Sequence, residues 1–250
     1  MMGGPIASLH PLSRADGSAS YKCPSTGSNV LGSVNAPVEL PGRRDALKPE
    51  DATIEVFVKP GTAPSGVGER YVEGILRGAL SRIVLGREKG YPRRGVVITL
   101  AILGGESIGR GGSYLPLLPA LLHTSILALL SASVPLSMSL SATMLAVNPS
   151  GEIVRKPSIT DARAAASLHV LAFTSKGHLL LSESEGRFNF DTWDKVYENA
   201  LAVCHGTSTL SSDGDVAMTE NMDTQPLEGF VRDTVEDHIR AEYAWKVDAA

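Results

Sequence analysis

Apolar and polar residues alternate from Ala52 to Lys59, with Ile54, Val56 and Val58 on one side and Thr53, Glu55 and Lys59 on the other. A period of two is the signature of a half-buried strand. After the Gly-, Pro- and Ser-rich stretch at residues 60–68, the period changes. Val67, Tyr71, Val72, Ile75, Leu76, Leu80, Ile83 and Val84 recur at helical spacing, which predicts a helix from Val67 to Leu85. Glu69, Arg70, Glu73, Arg77 and Arg82 form its outer face, where Glu73 and Arg77 stand four apart and are expected to pair. Gly95–Leu103 is a continuous apolar run, GVVITLAIL, that predicts a central strand buried on both faces.

The Gly-rich stretch Gly104–Gly112 leads into Tyr114–Ser133, apolar nearly all round and therefore expected to be a helix in the middle of the fold. Ala19–Cys23 and Asn29–Val34 are short strand candidates around the turn Pro24–Gly27. Ser137–Val147 with Gly151–Arg155, and Leu168–Phe173 with His178–Ser184, read as hairpins, with a helical turn near Asp161–Ala166 between them. Asp191 is placed to cap a helix running to about Cys204, and Phe230–Val247 closes the chain as a helix. Long buried helices over mixed strands give an α+β layered domain, expected in two duplicated βαβ-type halves. Residues 1–9 are expected to form an N-terminal tail, and 10–247 the domain.

Composition changes this picture in three ways. With 43% hydrophobic and 20% charged residues over 250 positions, the chain can bury a large core, which excludes global disorder. The two cysteines, Cys23 and Cys204, lack the pairing of a zinc site or a disulfide framework and fit a reducing compartment. The net charge of −4 conceals an asymmetry: residues 1–100 hold 13 Lys/Arg against 9 Asp/Glu, and the remainder 10 against 18. Much of the acid lies in 206–229, where Asp213, Asp215, Glu220, Asp223 and Glu228 meet no Lys or Arg, and which reads as a disordered acidic insertion. Met1–His10 has neither the basic nor the apolar region of a signal peptide, and Leu115–Leu136 is interrupted by Pro116, Pro119, His123 and hydroxyls, so no membrane association is expected.

For chemistry, the informative feature is strand, then GGESIGRGGS, then helix. That geometry cradles phosphate through free backbone N–H groups and the helix dipole, with Arg110 available to add charge. No Gly-Lys-Ser/Thr closes it, so it is not a Walker loop. The six histidines show no ligand spacing, His123 reads as a core histidine, and Glu183 and Glu185 as a solvated strand edge. No metal and no cofactor is implied.

Three stretches carry a family likeness: LSRADGSAS at Leu12–Ser20 followed by VLGSVNAPVEL; ATIEVFVKP at Ala52–Pro60 leading into the helix GVGERYVEGILRGALSRIVL; and PRRGVVITLAIL before the Gly-rich loop and a helix ending SVPLS. The sequence resembles the ribonuclease PH family, and within it the ring subunits of the eukaryotic RNA exosome. That resemblance implies the fold, and an activity in which inorganic phosphate removes nucleotides from the 3′ end of RNA. It also implies a phosphate site with Gly-Gly, Thr or Ser, then Arg. The matching positions here are Gly111, Gly112, Ser113 and Tyr114, and a tyrosine cannot supply the permanent charge or fork of an arginine. The catalytic Asp of the family is expected near Ser167–His169, which contains no carboxylate; the nearest is Asp161. An Arg that active members turn toward RNA falls at Gly74.

The resemblance therefore implies a chain with no catalytic residues of its own. It would sit in a six-membered ring of ribonuclease PH-like subunits, carry S1/KH cap proteins and pass single-stranded RNA to an associated nuclease. Its place would be the nucleus and nucleolus, and the cytoplasm. Arg70, Arg77, Arg93, Arg94 and Arg110 are the candidate RNA contacts. The alternative is a phosphate-dependent exoribonuclease active as a homo-oligomer.

Overall fold

The computed structural model describes residues 4–40, 49–61, 65–104, 113–206 and 226–247. Five strands make the first sheet: β1 (Ile6–Leu9), β2 (Gly17–Cys23), β3 (Ser28–Val38), β4 (Thr53–Pro60) and β5 (Gly95–Gly104), in the order β1-β2-β3-β5-β4. All pairs are antiparallel except β4 and β5, which run parallel and are joined by the crossover helix α1 (Val67–Leu80). The second sheet, β7-β6-β8-β9, is antiparallel throughout: β6 (Leu140–Val147), β7 (Ile153–Val154), β8 (Ser167–Thr174) and β9 (Leu179–Gly186). The βαβ crossover thus occurs in the first half only. Helix α3 (Ile159–Ala164) precedes β8, and α4 (Phe190–His205), α5 (Leu227–Glu242) and the short α6 (Ala244–Val247) follow the second sheet.

Helix α2 (Leu118–Ser131), entered through a 3-10 turn at Leu115–Leu117, lies between the two sheets. One side of it packs on β2 and β3 and the other on β6. This position explains a helix with no polar face: Leu121, Leu122, Ile126, Leu127 and Leu129 are all fully buried. Two glycines let sheet and helix approach closely. A Cβ on Gly17 would lie 2.3 Å from the Ala132 nitrogen, and one on Gly32 would lie 2.7 Å from Thr124 Cγ2. The DGSAS motif is thus a packing motif. Asp16 accepts the Ala36 N–H (2.9 Å), Gly17 passes under the end of α2, and the Ser18 N–H donates to Ser131 Oγ (3.2 Å).

A second apolar layer lies on the outer face of the second sheet, where Leu145, Leu171 and Phe173 pack against Val196, Ala200 and Cys204 of α4. Cys204 and the half-buried Cys23 are both free thiols. His123 is a core histidine, as its setting in the sequence implied: its Nε2 accepts the Ala142 N–H at 3.1 Å, and burial holds its pKa down to about 4.

The chain departs from the sequence reading at several points. Helix α1 ends at Leu80 rather than Leu85, because the chain unwinds so that Val84 can bridge to Leu136, and Leu85 N–H can reach Pro135 O. Val67 and Tyr71, assigned to the inner stripe, are 87% and 63% exposed; the buried side is Val72, Leu76, Ala79 and Leu80. Strand β5 is buried on one face only, through Val96, Ile98 and Leu100, because both helices of the first half cover the same side of the sheet. Asp191 is not the cap of α4: Asn189 holds that position and Asp191 lies in the first turn. The final helical segment starts at Leu227, three residues early, and breaks at Tyr243. Residues 6–9 of the expected tail form β1, paired with β2. Most of the acidic stretch, residues 207–225, lies outside the described residues; its flanks are joined by His205 Nδ1 and Glu228 Oε2, 2.7 Å apart.

Candidate nucleic-acid interface

Strand β5 delivers the chain to the Gly-rich loop, whose Arg110, Gly111 and Gly112 lie outside the described residues. The two remaining loop candidates are described. Ser113 Oγ accepts the Leu115 N–H at 3.2 Å and so closes the turn before α2. Tyr114 reaches across to the start of α1. Its ring covers Gly68 so closely that a Cβ there would lie 2.2 Å from Tyr114 Cε2, and its hydroxyl donates to Glu69 Oε1 at 2.7 Å. The other carboxylate oxygen, Oε2, accepts the Gly66 N–H at 2.7 Å. Glu69 thereby caps α1 as the side-chain half of a capping box, while Gly66 has no side chain to return the bond.

The electrostatics follow from these contacts. Burial alone would raise the Glu69 carboxyl, but the bonds from Tyr114 and from the backbone of Glu69 and Gly66 more than reverse it, and its pKa lies below the ordinary carboxylate value. Burial, then the bond to Glu69 and its charge, push the Tyr114 phenol up to about 12. At neutral pH Tyr114 is therefore a neutral phenol whose proton is committed to an ionised carboxylate. An anion there would meet negative charge.

The stretch where an acid was expected carries no carboxylate. At the start of β8, Ser167 Oγ lies 2.9 Å from His169 Nε2, and His169 Nδ1 lies 2.8 Å from Ser184 Oγ on β9. Phe188 closes edge-on over the imidazole at 4.7 Å, and burial lowers the His169 pKa. Asp161 stands at the third position of α3. It accepts from Ser158 N–H (3.0 Å) and Ser158 Oγ (2.8 Å), bonds that hold its exposed carboxyl below the ordinary value. Ser158 is the N-cap of α3, and Asp161 supplies the side-chain half of its capping box.

The four described candidate arginines lie on two elements. Arg70 and Arg77 are exposed on one face of α1, about 10 Å apart at 1.5 Å per residue. Glu73, expected to pair with Arg77, turns inward instead and accepts the Val58 N–H of edge strand β4 at 2.8 Å. Between the two arginines Gly74 leaves open space, and Tyr71 stands exposed beside Arg70. Sequence reasoning missed Tyr71, because helical periodicity assigns an apolar ring to the core; the four basic and acidic neighbours at 69, 70, 73 and 77 were the available signal. Arg93 and Arg94 lie in the exposed turn before β5. That is the end of the strand away from the Gly-rich loop, about 30 Å distant for ten residues at roughly 3.3 Å each. Arg93 holds a left-handed φ of 61°, and Arg94 O accepts the Thr53 N–H at 2.9 Å. Among the described residues no group of three or more His, Cys, Asp or Glu is positioned to hold a metal ion.

No family model matches the chain. It is 33% identical over 145 residues to the exosome complex exonuclease RRP46 homolog of Oryza sativa subsp. japonica; the match takes in 58% of this chain and spans only 55% of that relative's length. The crystal structure of rice Rrp46 superposes with a TM-score of 0.70 at 27% identity, over 81% of this chain and 90% of that one. The Archaeoglobus fulgidus exosome with RNA bound to the active site, at 14% identity, superposes with a TM-score of 0.59 over 79% and 84% of the two chains. The fold is therefore that of ribonuclease PH-like exosome core subunits. Within that class, the likeness in both sequence and structure is to Rrp46.

Proposed function

We propose that this chain is a ring subunit of an RNA exosome core that completes the barrel and helps to pass single-stranded RNA, without cleaving it. The observation that carries the non-catalytic part is the Tyr114–Glu69 pair. Phosphorolysis needs an anion held in line and a leaving oxygen protonated, and each lost group costs orders of magnitude. Here a carboxylate occupies the anion's neighbourhood, and the strand that would offer an acid offers Ser167 and His169. The likeness to rice Rrp46 and to archaeal exosome subunits supports the ring position.

In this reading the partners are other ribonuclease PH-like subunits, S1/KH cap proteins, an associated nuclease and single-stranded RNA, and the complex works in the nucleus and nucleolus and in the cytoplasm. The RNA-facing element is the outer side of α1. Arg70 and Arg77 neutralise phosphates and Tyr71 offers a stacking face, a combination that binds single strands without regard to sequence. Arg93, Arg94 and Arg110 are secondary candidates.

The second reading, a phosphate-dependent exoribonuclease active as a homo-oligomer, draws on the word exonuclease in the name of the rice relative. One assay separates the two: release of nucleoside diphosphates from RNA by the purified chain in inorganic phosphate. No release at any salt or divalent-metal concentration is the expected result. Phosphate-dependent release abolished by Asp161→Ala would establish the enzyme.

A further inference from the structure

A cavity of about 260 Å³ lies where β2, the first turn of α2, β6 and α5 meet. Neither Tyr114 nor Glu69 is among the described residues that line it. Tyr21 and Phe230 meet edge-on at 6.2 Å to form an aromatic corner, and Met144, Ala142 and Pro119 continue the apolar wall. Behind this wall, His123 lies 5.1 Å from the Tyr21 ring; its Nε2 is occupied by Ala142 N–H, and its buried Nδ1 has no partner. Arg155 stands at the mouth with Lys156 beside it. Its Nε is fixed on Asn199 Oδ1 at 2.9 Å, which orients the guanidinium and leaves its two terminal nitrogens outside that bond.

A partly open, largely apolar space with aromatic walls and a few convergent polar groups is how proteins hold small ligands. A planar ring suits the corner, because aromatic faces and edges contact it favourably. A charged fork at the entrance selects an acid group, which it binds through two parallel hydrogen bonds. We propose that this cavity binds an aromatic anion, with its ring against Tyr21, Phe230 and Met144 and its phosphate, carboxylate or sulfonate on Arg155. The inference stands independently of the exosome reading. The anion's source is either a nucleotide or a free aryl acid, and the chemistry required is shared.

Cys23 lines the same cavity and supplies a footprint, with the buried Cys204 as an internal control. The full chain is titrated with anilinonaphthalene sulfonate by fluorescence, and iodoacetamide alkylation is followed by mass. One saturable site is expected, with Cys23 alkylation slowed about tenfold at saturation, since thiol reactivity follows access. Arg155→Gln, verified to be folded by its melting temperature, is expected to weaken binding about tenfold, the loss of one charge-assisted pair. Adenosine monophosphate and naphthoate then compete against the dye. Displacement by the nucleotide supports the site and makes nucleotides its source; displacement by naphthoate alone supports it for aryl acids. Absence of saturable binding overturns the proposal. So does binding that leaves either Cys23 alkylation or the affinity of Arg155→Gln unchanged, or displacement by neither competitor.

Discussion

Tyr114 and Glu69 show how one side chain can tie two elements together. The phenol donates to the carboxylate that caps α1, joining the approach to α2 to the crossover helix. Tyr114→Phe removes that donor and leaves a buried carboxylate oxygen short of a bond, at an expected cost of about 1–3 kcal/mol in denaturant unfolding. The pH dependence has a definite sign. Because the folded Glu69 pKa is below its ordinary value of 4.5, its contribution is present above that pH and is lost as pH falls below it; the variant should show a weaker loss of stability in this acid range. His123 acts in a higher window. Burial depresses it from 6.5 to about 4, so the unfolded chain binds the extra proton between those values and stability falls as pH falls through them. The full effect is about 3 kcal/mol at 1.4 kcal/mol per unit. In His123→Gln the fall in stability from pH 6.5 to 4 should be shallower, as read from urea midpoints, with His169, whose pKa burial also lowers, still contributing.

The elements themselves were largely legible in the pattern of apolar residues, and the failures have physical causes. Strands β4 and β5 and helices α2 and α4 declare themselves through period and length. Strand β1 does not, because Ile6–Leu9 is short, lies at an edge and gains its place by pairing with β2. Periodicity overran α1 because Ile83 and Val84 are buried by a bridge to Leu136 and not by a further helical turn. The same rule drew Val67 and Tyr71 inward, since it cannot distinguish a core-facing ring from one facing a partner. That residue 114 is a tyrosine was plain in the sequence; that Glu69, 45 residues earlier, would receive its phenol was not, because it depends on tertiary placement. The outer face of α1 carries its own test. In the assembled complex, Arg70→Ala with Arg77→Ala should lower the slope of log affinity against log salt by about 1.4, at 0.7 per single-strand phosphate. Tyr71→Ala should weaken binding by about 1–3 kcal/mol without changing that slope. Equal slopes in the wild-type and doubly substituted complexes would remove α1 from the RNA path.

At the scale of the whole molecule, two sheets clasp one apolar helix, and the clasp depends on backbone proximity. Gly17→Ala places a methyl group against the Ala132 nitrogen and should cost about 1–3 kcal/mol, the usual price of overpacking a filled interior. The acidic stretch stands apart from this core in sequence composition, and deletion of 208–226 is expected to leave complex formation intact; loss of co-purifying partners would show that it contributes to assembly. The central claim is that the chain works as one member of a mixed ring. Its most direct test is affinity purification from native cells at moderate salt, with mass spectrometry of the recovered proteins. Five other ribonuclease PH-like chains, together with S1/KH cap proteins, are the expected partners. Recovery of this chain alone, as a homodimer or homohexamer, would contradict the ring-subunit account.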